Sequence, residues 1–425
     1  MTGLWRRIGA GVGLTLALTL VGGSVVLDAP AARADQIRDL SYWLTDYGFT
    51  KAWETTRGAG VTVAVIDTGV DGSIPELNGA IVGGTDVSGI GSSNGQTPVG
   101  VNPEHGTLAA SLLAGRGTGA DTGLIGVAPD VSLLAVSVAL GTSESTVSND
   151  DQIAEAVRWS VDNGADVINM SLTRNTLDWP ESWDSAFLYA FENDVIVVAA
   201  AGNRGGGTEE VGAPATMPGV LTVGGVDRSK EASFDASTQG ITISVAAPSE
   251  ELVGVTVGGG YVQWGGTSAA APLVSGLVAL VRAAHPDLDA TEVINRVVET
   301  ADANGHSVPS PIYGNGLINA AEAVAASVPR ANGQSPAEQL AEWIHLHRRA
   351  DTVREPLPTA EALSPREVVP DPALPTRNVV SAWLPTPLTV TYITVPLLVL
   401  VGFVSLVVLL GTGATRHIRR IRRKP

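Results

Sequence analysis

The sequence predicts an α/β domain in three layers, a mostly parallel sheet with helices on both faces, followed by a transmembrane helix near the C-terminus. Three observations carry this. Between residues 61 and 327, short β-branched apolar runs alternate with helix-like stretches, the pattern of parallel strands joined by crossover helices. Residues 388–411 are 24 residues without a charge, about 36 Å of helix against roughly 30 Å of hydrocarbon. The N-terminus places Arg6 and Arg7 before an apolar run that ends at Ala32-Arg33-Ala34, a small-x-small cleavage signature.

These segments divide the chain. Residues 1–34 are expected to be a signal peptide, with an uncleaved anchor as the alternative. Residues 35–328 form the folded domain. Residues 329–387 contain ten prolines and read as an extended stalk outside the cell, with one short helix around 336–350. His345 and His347 stand two apart in it, which on a helix points them apart, so they read as solvated side chains and not a metal pair. The span 388–411 tolerates Pro396 as membrane helices do. The tail 412–425 carries six Lys/Arg and no acid, which keeps it cytoplasmic. The expected location is thus a cell membrane, crossed once, with the folded domain outside.

Bulk composition excludes several classes. The chain has no cysteine, which removes disulfides, thiolate metal sites and a cysteine nucleophile. Setting aside the two ends leaves 17 basic against 42 acidic residues, a net charge of −25. Such a surface repels phosphates, so no nucleic-acid partner is expected.

Within the domain, strands are expected at 61–66, 133–138, 167–170, 195–200 and 220–223, and helices at 151–163 and 181–193. In parallel sheets, reactive groups gather beyond the carboxyl ends of strands. Asp67 occupies that position after Val63-Ala64-Val65-Ile66. Gly265-Gly266-Thr267-Ser268 opens a helix to Ala284 that is apolar nearly all round and must be buried. A hydroxyl there sits at the positive end of the helix dipole, while a plain N-cap role for Ser268 or Thr267 remains the alternative. Pro272 is expected in the first turn, where its missing N–H costs nothing.

A nucleophilic serine needs a base, and the chain has six histidines. His417 lies in the tail, His345 and His347 in the stalk, His306 in a polar loop, and His285 about 25 Å along the helix from Ser268. Elimination leaves His105, before the apolar run 108–114, with Asp67 as the carboxylate that holds its tautomer. Asn203, after the strand 195–200, can donate to a developing oxyanion. A turn asparagine is its alternative.

Together Asp67-Thr68-Gly69, His105-Gly106-Thr107, Ala201-Gly202-Asn203 and Gly266-Thr267-Ser268-Ala269-Ala270-Ala271-Pro272 resemble the subtilisin family, in its order Asp, His, Ser. The likeness runs from about Trp43 to Val324. It includes Gly126-Val127-Ala128-Pro129, Asp166 through Leu172, and Tyr313 through Asn319. The resemblance implies a subtilisin-like three-layer α/β/α peptidase domain acting on protein or peptide substrates. It makes Asp67, His105 and Ser268 catalytic and Asn203 the oxyanion donor. The family's Ser-Leu-Gly-Gly reads Ser171-Leu172-Thr173-Arg174 here, which implies a substrate pocket narrowed toward small side chains. Leu108 replaces a common histidine at a non-catalytic position.

The order of signal, protease, Pro-rich stalk, anchor and basic tail resembles mycosins, membrane-bound subtilases of type VII secretion, and implies such a secretion complex as partner. Only 32 residues separate Ala34 from Asp67, too few for a long folding-assisting propeptide. Catalysis in this family requires no cofactor. Relatives often bind structural Ca²⁺, but the acidic residues here form no recognisable ligand loop, and no metal ligands are expected.

Two rival readings exist. Asp121-Thr122-Gly123 echoes Asp67-Thr68-Gly69, and paired D-T-G motifs suggest an aspartic-protease dyad. That would leave His105 and Ser268 unexplained. The other rival is a scaffold in a secretion complex, with proteolysis secondary.

Overall fold

The computed structural model describes residues 36–142, 144–207 and 210–348, together with Leu397. The expected signal peptide, the span 388–411 apart from Leu397, the tail 412–425 and most of the stalk lie outside the described residues. The description below is of the first unit, which runs to Val353.

The expected α/β layering is present. Seven parallel strands form one sheet in the order β2-β3-β1-β4-β5-β6-β7: β1 Thr62–Asp67, β2 Ile81–Asp86, β3 Ser132–Ser137, β4 Val167–Met170, β5 Ile196–Ala200, β6 Leu221–Val226 and β7 Ile243–Pro248. β1, β3, β4, β5 and β6 match the expected runs to within a few residues. β2 was not anticipated; it is an edge strand, Ile-Val-Gly-Gly-Thr-Asp, with none of its residues buried, and so lacks the apolar signal of a central strand. β8 Leu252–Val255 and β9 Tyr261–Trp264 form a separate antiparallel hairpin.

Six helices of ten or more residues occur among the described residues: α1 His105–Ala114, α2 Asn149–Asp162, α3 Glu181–Glu192, α4 Thr267–Ala284, α5 Ala290–Glu299 and α6 Pro336–His347. Alternate residues of β1 feed the two layers. Val63 and Val65 pack with Leu112 of α1 and Leu273 and Leu277 of α4, while Ala64 and Ile66 pack with Val157 of α2 and Phe187 of α3. Period-two alternation between two apolar faces is why β1 reads as a continuous apolar run. Strand order reverses around β1, whose neighbours are β3 and β4, and that reversal opens a crevice at its carboxyl end.

α4 is the buried axis of the domain, with fourteen of its residues buried. Among the described residues it is also the one helix that by length and composition alone could cross a membrane, but it is 78% buried and is a core helix. It starts at Thr267, so Pro272 is its sixth residue. The proline therefore lies a turn deeper than expected, and the Ser268 carbonyl has no N–H to pair with at that position.

The stalk boundary also shifts. Residues 329–387 were expected to be an extended stalk with one short helix around 336–350; that helix is present as α6, but it docks on the domain. Its Leu340 is fully buried against the α2–α3 layer, and Trp343 meets Trp179 at a centroid distance of 4.2 Å. Arg348 donates to Asp184 at 2.8 Å and to the Trp179 carbonyl at 2.9 Å. Asp184 in turn accepts from Trp179 Nε1 at 2.6 Å. A capping box between Ser335 and Glu338 starts the helix. Prolines before and after the helix masked this in composition, since docking depends on a receiving surface about 160 residues earlier. Leu340→Ala should cost about 2–5 kcal/mol and lower the thermal midpoint by several degrees. An unchanged midpoint in a calorimetric scan would mean that α6 is not part of the cooperative unit.

Candidate active site

Asp67 ends β1 and is fully buried. Its Oδ1 accepts from the Thr68 N–H at 2.7 Å, and both carboxylate oxygens lie 2.9 Å from Nδ1 of His105. His105 is the first residue of α1. The close approach of α1 to β1 depends on Gly106, where a Cβ would stand 2.2 Å from the Gly69 carbonyl oxygen. Thr68 closes the joint: its hydroxyl accepts from the Gly106 N–H at 3.0 Å and donates to the Pro103 carbonyl at 3.2 Å.

His105 is 18% exposed at its side chain. Burial by itself pulls the imidazole pKa down; the Asp67 charge and the Asp67 hydrogen bond push it up, and the net position is above the ordinary 6.5. A donor hydrogen bond from Nδ1 to the carboxylate leaves Nε2 as the accepting nitrogen of the neutral ring. Trp264 meets the imidazole edge-on at 5.6 Å.

Ser268 is the second residue of α4. Its hydroxyl donates to the Ser171 carbonyl at 2.9 Å, and no hydrogen bond joins it to His105 among the described residues. The Ser268 N–H has no acceptor among the described residues, as befits the first turn of a helix. Asn203 follows β5. Its Oδ1 accepts from both the N–H and the hydroxyl of Thr267, at 2.8 and 2.9 Å. Those two donors fix the amide orientation and leave Nδ2 as the free donor. Gly266, at φ 107°, makes room for it: a Cβ there would lie 2.7 Å from Nδ2.

The structure thus joins Asp67 to His105 and Asn203 to Thr267, the residue before Ser268. The cap position of α4 belongs to Gly266 and not to Ser268, while Asn203 also opens the turn Arg204–Gly206, its carbonyl accepting from the Gly206 N–H at 3.1 Å. Asp121 lies apart from this constellation, exposed on the loop between Gly119 and Thr122, and no contact joins it to Asp67. An aspartic dyad is thus not formed.

Within the segment Ser171–Arg174, Arg174 pairs with Asp150 of α2 and stands over the Trp183 ring at 5.5 Å. Thr173 donates to the Arg174 carbonyl at 3.1 Å, and Gly212 packs so closely that a Cβ would sit 2.6 Å from the Thr173 hydroxyl. Beneath this wall is a buried chain: Ser275 donates to Asn169 at 2.9 Å, and Asn169 donates to the Ser171 hydroxyl at 3.0 Å. Ser275 went unnoticed in the sequence. Its signal was available, because a lone hydroxyl seven residues after Ser268 on an otherwise apolar helix must find a partner.

No group of three or more His, Asp or Glu side chains is placed to hold a metal among the described residues.

Comparison with known proteins agrees with this geometry. Residues 58–316 match the subtilase family model (Peptidase_S8). The chain is 37% identical over 270 residues to subtilisin DY of Bacillus licheniformis, covering 62% of this chain and 90% of that protein. It is 34% identical over 347 residues to mycosin-4 of Mycobacterium tuberculosis, covering 71% of each. Among solved structures, the MycP3 protease from the type VII (ESX-3) secretion system is similar at 31% identity and a TM-score of 0.58, covering 67% of this chain and 88% of that one. The family match over most of the folded unit, on a sheet and crevice of this form, means that the chain belongs to the subtilase family of serine endopeptidases.

Proposed function

We propose that this protein is a membrane-tethered endopeptidase in which Ser268 is the nucleophile, His105 the general base and acid, Asp67 the orienting carboxylate and Asn203 an oxyanion donor. The observation that carries the reading is the Asp67–His105 pair, buried at the mouth of the crevice, with its free imidazole nitrogen available to a serine at a helix start.

In this mechanism the Ser268 hydroxyl leaves the Ser171 carbonyl and turns to Nε2 of His105. An extended substrate strand favours that rotation, because its own N–H groups compete for main-chain acceptors such as the Ser171 carbonyl. Oγ then attacks the scissile carbonyl carbon and its proton passes to His105. Asn203 Nδ2 and the Ser268 N–H stabilise the oxyanion. The tetrahedral species collapses, the C–N bond breaks, and His105 returns the proton to the departing amine. Water repeats the sequence on the acyl-enzyme with the roles of leaving group and nucleophile exchanged.

Tethering rests on the sequence of residues 388–425, and a role beside a secretion complex rests on the likeness to mycosin-4 and to the MycP3 protease. For the acyl-side pocket, we propose that Thr173 and not Arg174 restricts side-chain size, since Arg174 is engaged by Asp150.

Ser268→Ala and His105→Ala should each lower kcat by about 10⁶, and Asn203→Ala by about 10²–10³, magnitudes carried over from subtilisin itself. Full peptidase activity in purified Ser268→Ala protein would end the assignment. Because the base must be neutral, kcat/KM should fall as pH drops through a value above 6.5, the direction that Asp67 imposes on His105; an acid limb below 6.5 would contradict the pairing.

Small residues such as Ala or Ser should be preferred before the cut. Thr173→Gly should raise cleavage after Leu or Phe by about 10- to 100-fold. A peptide-library profile decides this, and strong wild-type cleavage after Phe would exclude a narrow pocket.

A protease added to intact cells should release the catalytic domain by cutting between residues 349 and 387 and leave the basic tail protected. Access to an epitope fused after Pro425 from outside the cell would reverse the topology.

A further inference from the structure

The crevice beside the start of α4 is acidic. A cavity of about 510 Å³ opens beside the proposed oxyanion position, with Asn203, Gly266 and Trp264 in its wall; Asp235, Glu250 and Glu251 also line it, and no Lys or Arg does. Asp235 is exposed and its carboxylate has no partner among the described residues. Glu250 accepts the Ser233 hydroxyl. Glu251 lies 3.5 Å from Arg228, but both side chains are more than half exposed, so the pair cancels little of the local field. Arg204 is held over the Phe234 ring at 4.4 Å and lines a neighbouring, smaller cavity.

The carboxylates are fixed relative to the nucleophile by the main chain. Gly266 N–H donates to the Ser249 carbonyl at 2.7 Å, and Thr267 N–H donates to the Ala236 carbonyl at 3.0 Å. The two residues before Ser268 are therefore bonded to the immediate neighbours of Glu250 and Asp235. Glu250 itself is held through its carbonyl, which accepts from the Tyr42 hydroxyl at 2.9 Å.

Which side of the scissile bond this cavity serves follows from the proton path. The departing amine takes its proton from His105, so the chain after the cut leaves past that ring. Trp264 lies against His105 at 5.6 Å and forms part of the cavity, whereas Ser171 and Thr173, which bound the acyl side, do not line it.

We infer that this cavity receives the side chain of the first or second substrate residue after the scissile bond, and that Asp235 and Glu250 select Lys or Arg there. The inference rests on the endopeptidase reading above. A flexible ammonium or a guanidinium can approach both carboxylates while the cavity stays open to water, whereas a substrate carboxylate meets only like charge.

The test uses internally quenched peptides that share Ala before the cut and carry Lys, Gln or Glu at the first and second positions after it. At low ionic strength the Lys peptide should exceed the Glu peptide in kcat/KM by about 10-fold, with Gln between. The ratio should shrink in 1 M NaCl, where the screening length falls to about 3 Å. An Asp235→Asn/Glu250→Gln double variant should bring the ratio close to one, and Asp235→Lys should shift preference toward Glu. A ratio within one preparation does not depend on how much of it is folded. Equal cleavage of the Lys and Glu peptides by wild type, or a preference that survives in the double variant, overturns the inference alone. Failure to cut even the Gln peptide overturns the endopeptidase reading and this inference with it.

Discussion

A carboxylate with no exposed surface has to be supplied with donors by its surroundings, because an unpartnered buried charge is among the costliest features a fold can carry. Asp67 is such a group, and much of the architecture is arranged to supply it. The donors are the Thr68 N–H and His105 Nδ1, and His105 reaches it only because α1 begins against the end of β1. That approach requires the bare Cα of Gly106 and the double hydrogen bond of the Thr68 hydroxyl. α1 is then held in place by α4 and by the β8–β9 hairpin, where the Ser111 hydroxyl accepts from the Val255 N–H at 3.0 Å. The same hairpin delivers Trp264 to the imidazole and runs on through Gly265 and Gly266 into α4. One buried charge thus ties His105, the aromatic beside it and the entry to α4 into a single packed unit.

How much of this was legible in the sequence depended on whether a signal was local. The central strands announced themselves because parallel strands are buried on both faces and read as uninterrupted apolar runs. The motifs around the candidate site stood out because each holds a glycine that its backbone or packing requires: Gly106 beside His105, Gly266 before Ser268, Gly202 before Asn203. Features that depend on a distant partner did not. The pairing of Arg174 with Asp150, 24 residues earlier on α2, is one such feature. α6 looked like part of a linker, since nothing within residues 329–348 reveals that Trp179 and Asp184 wait to receive it. The edge strand β2 was silent because its burial is partial and two of its six residues are glycine.

Without cysteine, the folded unit must secure its two ends by other means, and it uses the same device at both. At the C-terminal end Arg348 is bonded to Asp184 and lies 5.3 Å from the Trp343 ring. At the N-terminal end Arg38 donates to the Gly123 carbonyl at 2.5 Å, while Trp43 and Phe49 are fully buried. Each end combines a guanidinium that satisfies main-chain or carboxylate oxygens with an aromatic side chain that contributes buried area, about 1.5–3 kcal/mol for a fully buried large apolar residue. The N-terminal attachment reaches further, because the Tyr42 hydroxyl is bonded to the Glu250 carbonyl. Residues 37–49 therefore cannot be detached without uncovering Trp43 and Phe49 and releasing the loop that carries Glu250 beside the crevice. A segment with that double role is an integral part of the catalytic domain, and its position explains how the acidic face of the cleft is kept in register with Ser268 although it lies on loops far from it in sequence.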